Sequence, residues 1–203
     1  MNIVRNESMA GTIVQFKLSA GVHNLTDSLR FNGSVVASEV IIIGEEGAVI
    51  SLPLASEWRR MSTHSGAIRA ALILSTQQKV QLQGIVFQGG AASEGVAAVV
   101  VESGELEMRN CTVRGVQGTR ALHTSGGKSI IQSSLFEANL GGAIEASGGS
   151  KVFLRDSLLV KNSAANGGAL AVTGNLTEVT AVATRIERNS AEVRGGGLWQ
   201  NAG

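Results

Sequence analysis

The stretch "NGGALAVTG", residues 166–174, has a near copy in "LGGAIEASG", residues 140–148, and a looser one in "RGGGLWQNAG", residues 194–203. Glycines stand ahead of one aliphatic residue each time. Aligned on that position, the chain gives "ALILST" (71–76), "VVVESG" (99–104), "ALHTSG" (121–126), "AIEASG" (143–148), "ALAVTG" (169–174) and "GLWQNA" (197–202). Successive starts lie 28, 22, 22, 26 and 28 residues apart. Self-similarity at such a period marks a repeat architecture, in which each unit buries its apolar face only against its neighbours.

A second segment recurs inside each period: "VQLQGIVFQGG" (80–90), "LEMRNCTVRGV" (106–116), "SIIQSSLFEAN" (129–139), "VFLRDSLLVKN" (152–162) and "VTAVATRIERN" (179–189). Its apolar residues alternate, as in a strand with one buried face. Leu82, Met108, Ile131, Leu154 and Ala181 align in one column, and Phe87, Val113, Phe136, Leu159 and Ile186 in another. Asn139, Asn162 and Asn189 follow three residues after the last three of these. No helix-length pattern interrupts residues 71–203. Short strands between Gly, Ser and Asn turns at this period predict an all-β chain, a right-handed single-stranded parallel β-helix of about seven to eight coils. Equivalent residues then stack about 4.8 Å apart.

In that architecture the glycines turn the chain where a side chain would meet the neighbouring rungs. The aliphatic that follows (Leu122, Ile144, Leu170, Leu198) points inward. The asparagines are placed to hydrogen-bond from rung to rung. Residues 1–54 read as N-terminal opening coils or a cap, residues 55–70 as a protruding polar loop, and residues 71–203 as the repeated rungs of one continuous domain. The last rung starts at "GLWQNA", so the expectation is a solenoid truncated at its C-terminus and continuing into further rungs.

Composition narrows the function classes. The formal charge is +1 and no apolar run is long enough for a membrane span, so neither nucleic acid nor a bilayer is an expected partner. The N-terminus lacks the apolar core of a signal peptide. One cysteine, Cys111, excludes an internal disulfide and a cysteine-rich metal site. It aligns with Ser134, Ser157 and Thr184 and reads as a buried, inert thiol. Five Asn-x-Ser/Thr sequons, at Asn6, Asn24, Asn32, Asn110 and Asn175, are glycosylation candidates. Chance gives roughly two; the excess points to an extracellular or cell-surface protein, and the plainer alternative is a Ser/Thr-rich strand protein with accidental sequons.

The segments "NCTVRGV", "LFEANLGGAI", "LLVKNSAANGGAL" and "IERNSAEVRGGGL" resemble the repeats of right-handed parallel β-helix proteins. The repeat is most similar to the GGA-[I/L/V] and F-x-x-N repeats of chlamydial polymorphic membrane proteins. The first 52 residues look like the opening coil of the pectate-lyase-like superfamily. Only Phe136–Asn139 is a strict F-x-x-N, since Leu159 and Ile186 replace Phe in the next two. The resemblance implies the fold, and a surface protein or a polysaccharide lyase or hydrolase.

Galacturonan hydrolases of the superfamily carry clustered aspartates. An inverting pair must sit about 6.5–9.5 Å apart. Here Asp27 and Asp156 are the only aspartates, about five rungs and so over ~20 Å apart. Glu102, Glu105 and Glu107 are further carboxylates, with no convergent metal set among them. His123 and Glu145, on adjacent rungs of one outward column, are the sharpest catalytic candidates, a general base with its orienter. The plainer alternative is an outer ladder pair. The column Gln83, Arg109, Gln132 and Arg155 forms a polar ladder. Trp58, Arg59, Arg60 and His64 combine an aromatic platform with positive charge and are candidate binding residues for carbohydrate or a surface protein. No cofactor or metal is expected. The expected function is a non-enzymatic extracellular or cell-surface solenoid, adhesive or structural. The alternative is a carbohydrate-active β-helix whose active residues lie outside this chain.

Overall fold

The computed structural model describes residues 13–25, 28–32, 37–52 and 69–201. They form a parallel β-solenoid of about six turns, with no α-helix among them. Each full turn lays down three strands. Face one stacks Leu29–Asn32, the first half of Arg69–Gln83, the first half of Val96–Arg109, and then Leu122–Thr124, Ile144–Ala146, Leu170–Thr173 and Leu198–Asn201. Face two stacks Ile13–Leu18, Glu39–Gly44, the second halves of the two long strands, Lys128–Gln132, Lys151–Arg155 and Glu178–Val182. Face three is a 7-stranded sheet running from Gly21–Asn24 to Arg185–Glu187. Every one of these pairings is parallel, as a coil that always winds the same way requires.

The two core columns follow directly. Leu82 pairs with Met108, Met108 with Ile131, Ile131 with Leu154, and Leu154 with Ala181. Phe87, Val113, Phe136, Leu159 and Ile186 occupy successive rungs of face three. Phe87 and Phe136 are wholly buried and fill the interior beside Leu82, Leu106, Met108 and Ile131. Each such side chain contributes about 1.5–3 kcal/mol by leaving water.

One alignment is corrected. In face one the inward column reads Leu72, Val99, Leu122, Ile144, Leu170, Leu198, so "VVVESG" sits one residue later than its own rung. Ala97–Val101 is apolar throughout, and a strand without alternation gives no sign of which side faces in. Both sides of it are buried there. Ala70, Ile73, Ala97 and Val100 form a small apolar cluster separate from the main core. The first face-one strand of the long pair also begins at Arg69, two residues inside the range read as a loop.

Two of the three corners are turned by left-handed residues that are mostly not glycine. Between faces two and three the left-handed residue is Gly84, then Asn110, Ser133, Asp156 and Ala183. After face three it is Gly115, then Ala138, Lys161 and Arg188. Seven non-glycine residues therefore hold φ near +50° in two vertical columns. Their N–H groups keep the ladder running round the bend: Asn110 donates to Gln132 at 3.1 Å, Ser133 to Arg155 at 3.0 Å, and Lys161 to Glu187 at 3.2 Å. The glycine pairs make the remaining corner, and there close approach is the reason. A Cβ on Gly141 would lie 2.2 Å from the Thr119 carbonyl of the preceding coil. One on Gly168 would lie 2.1 Å from the Ser190 carbonyl of the next.

Two side-chain ladders stitch the coils. Asn139 Nδ2 donates to Asn162 Oδ1 at 2.8 Å, and Asn162 Nδ2 to Asn189 Oδ1 at 3.0 Å. Each amide also donates to a carbonyl of an earlier rung, that of Val113, Phe136 or Leu159. Val116 stands where a fourth Asn would, and its N–H closes the ladder on Asn139 Oδ1 at 3.1 Å. At the opposite corner the Cys111 N–H donates to Ser134 Oγ, and the Ser134 N–H to Ser157 Oγ.

Candidate ligand groove

The sequence candidates fall in different places. Trp58, Arg59, Arg60, His64, Asn6 and Asp27 lie outside the described residues, as does the 55–68 part of the polar loop. Asn24 and Asn32 are exposed at strand ends. Asn110 is exposed at a left-handed corner, and Asn175 is exposed in the turn beside Leu176. Asp156 pairs with Arg155 at 3.3 Å. The outward column Gln83, Arg109, Gln132, Arg155 runs along face two.

Lower on face two, charges pair along the axis. Lys79 bridges Glu39 at 3.2 Å and Glu107 at 2.9 Å, and Arg109 also engages Glu107. Burial pushes the Glu107 carboxyl up, but the hydrogen bonds from Lys79 and Arg109 outweigh it and leave the group below its ordinary value. Its hydrogen bond to Glu107 in turn holds Lys79 above the usual lysine range. Such mutually satisfied ladders suit a solvated face. Higher up, Ile130, Phe153 and Val182 line a shallow recess of about 400 Å³ with Lys128 and Arg155 at its rim. The Lys128 ammonium lies 5.8 Å from the Phe153 ring centre.

Cys111 is buried in the serine column, and its thiol is pushed up to about 11 by burial. The folded protein therefore keeps the thiol protonated through a range in which the unfolded chain, with an ordinary value near 9.0, ionises it. Stability present below pH ~9 is lost as pH rises toward ~11, by about 2–3 kcal/mol in all. Cys111→Ser should remove this part of the alkaline loss. The check is the difference in denaturant unfolding between parent and variant at neutral and alkaline pH.

His123 and Glu145 do pair across adjacent rungs, in the outward column Ile73, Val100, His123, Glu145, Ala171, Trp199. Val100 is the neighbour of His123 on the preceding rung. His123 Nε2 lies 4.0 Å from Glu145 Oε1, and its Nδ1 is buried without a hydrogen-bond partner among the described residues. Glu145 Oε2 instead meets Arg120 Nε at 3.5 Å.

Arg120 is the residue that sequence reasoning missed. It occupies the place that Gly142, Gly168 and Gly196 take in later coils, and that exchange was the available signal. Its side chain runs along the axis instead of outward. It passes where a Cβ on Gly142 would stand, and its guanidinium donates to the carbonyls of Asn166 and Gly167 two coils on. Burial pulls the guanidinium below its ordinary value while Glu145 pushes it back up. The arginine straps three coils together.

Beside this strap the outer side of face one opens into a groove of about 620 Å³, lined among others by Arg120, Glu145, Asn166, Ala171, Glu192 and Trp199. Its wall is the two-stranded sheet of Ser163–Asn166 and Ser190–Arg194. Those strands exist because the coils lengthen between Asn and the glycine pair, from Leu140 alone to residues 163–166 and then 190–194. Fold and groove together define a parallel β-solenoid with a walled lateral recess. No family model matches the chain, and no match is found among curated proteins or solved structures.

Proposed function

We propose that the chain is a non-enzymatic extracellular or cell-surface solenoid that serves as an adhesive or structural binding scaffold. The observation that carries this reading is the origin of the groove wall. The coil through Asn139 turns the corner with Leu140, Gly141 and Gly142 only, and Ala143 and Ile144 are then fully buried. The residues added in the next two coils are therefore unnecessary for closing a rung. They build outward and frame a recess of ligand size.

The His123–Glu145 geometry supports a structural role for that pair, because the carboxylate is shared with the half-buried Arg120 and the histidine does not line the groove. The exposed sequons at Asn110 and Asn175 support a secreted or surface location. The spacing of GGA-I and F-x-x-N supports kinship with the repeats of chlamydial polymorphic membrane proteins within the pectate-lyase-like superfamily.

The test is incubation with pectin, alginate and other uronans, with release of reducing or unsaturated ends as the readout. No turnover is expected. Turnover that disappears in His123→Ala would overturn the reading in favour of a carbohydrate-active β-helix.

A further inference from the structure

We propose that the groove receives an arginine or lysine side chain of a partner polypeptide; this rests on the binding-scaffold reading. Three rungs of one column form its floor: Glu145, Ala171 and Trp199. At about 4.8 Å per rung, a carboxylate and an indole flank a methyl group at roughly twice that separation. Glu192 reaches in from the wall strand. It is exposed and has no ion-pair partner among the described residues.

Arg120, the cation that lines the groove among the described residues, is largely engaged within the protein. Arg120 gives its terminal nitrogens to the Asn166 and Gly167 carbonyls and its Nε to Glu145. Three of its five N–H groups are thus engaged within the protein, and the neighbouring Glu145 carboxylate offsets its charge. The charged group of the groove that has no ion-pair partner among the described residues is Glu192, whose carboxylate oxygens only accept hydrogen bonds. Guanidinium and ammonium groups only donate, and both are attracted to an indole face. An anionic sugar meets the repulsion of the unpaired Glu192 carboxylate. Charge complementarity thus selects a cation, and a volume of about 620 Å³ leaves space for the residues on either side of it.

The experiment uses the full chain carrying Trp58→Phe, which leaves Trp199 as the only indole. The blocked tripeptides Ala-Arg-Ala and Ala-Lys-Ala are titrated against its fluorescence. Ala-norleucine-Ala, cellobiose and galacturonate serve as rivals. Both cationic peptides should give saturable changes, and bind at least about fivefold more tightly than the norleucine peptide. That margin should shrink in Glu192→Gln and in 1 M salt. Glu192 is exposed, so the variant is expected to keep the parent thermal midpoint, measured alongside. Equal binding of the norleucine peptide, preference for either sugar, or no saturable response to the cationic peptides would overturn the assignment. Any of these without uronan turnover overturns the ligand alone; turnover overturns the scaffold reading beneath it.

Discussion

Ile144→Asp is expected to leave the chain unfolded, while Lys161→Ala leaves it nearly unchanged. Ile144 is fully buried and sits between Leu122 and Leu170 in the inward column of face one. A carboxylate there loses its water and faces aliphatic carbon above and below. It must ionise at a cost of several kcal/mol or stay protonated and still lack partners. The excised side chain also removes stacking on both neighbouring rungs. The combined loss matches the whole stability of an ordinary domain, about 5–15 kcal/mol. Lys161, by contrast, makes an exposed pair with Glu137 at 3.2 Å, and such pairs contribute about 0–1 kcal/mol. Circular dichroism with thermal melts on both variants checks this. Similar midpoints would contradict the register of face one.

Asn162→Ala is expected to destabilise by about 3–5 kcal/mol without unfolding the chain at room temperature. Asn162 is wholly buried, and its carboxamide serves three rungs. Oδ1 accepts from the Asn139 N–H at 3.1 Å and from Asn139 Nδ2, while Nδ2 donates to the Phe136 carbonyl at 2.9 Å and to Asn189 Oδ1. Alanine orphans at least two buried groups at about 1–3 kcal/mol each and leaves a small cavity. Asn189→Ala should cost less, because that amide is only partly buried and ends the ladder. Urea midpoints of the two variants give the comparison. Equal losses would mean that the ladder is not acting as a buried network.

The columns were legible in the sequence because alternation and period agreed wherever polar and apolar residues took turns. Phe136, Leu159 and Ile186 stand three residues before their asparagines in every case. The slip at Ala97–Val101 arose where that alternation vanished. The full residue set of the other two corners was not legible, for a different reason. Asn110, Ser133, Ala138, Asp156, Lys161, Ala183 and Arg188 share a backbone conformation and almost no chemistry. A left-handed residue imposed by the ladder on both sides leaves little mark on residue type, at about 1 kcal/mol for each non-glycine.

The groove was the least legible feature. Trp199 and Glu192 belong to the rungs that looked least like the rest. Arg120 was hidden by its neighbours: it precedes an ordinary "ALHT" and gains its meaning only from the carbonyls of Asn166 and Gly167, some 46 and 47 residues away. Contacts made through coil stacking depend on the insert lengths between them. Those lengths decide which residues meet, and they carry no pattern of their own. The His123–Glu145 adjacency could be read because both sit on strands in register. The arginine that takes over the carboxylate could not.

The most direct test of the stacked register is oxidation of cysteine pairs on face two in a Cys111→Ser background. Lys128 and Lys151 are direct partners on adjacent rungs, both solvent-accessible. A rung spacing of about 4.8 Å lies within the Cα separation a disulfide spans. Lys128→Cys with Lys151→Cys should therefore cross-link within the monomer, seen as a gel shift reversed by reductant. Lys128→Cys with Arg155→Cys, four residues further along the same strand and about 13 Å out of register, should not. Cross-linking of the second pair in preference to the first would contradict the solenoid as described.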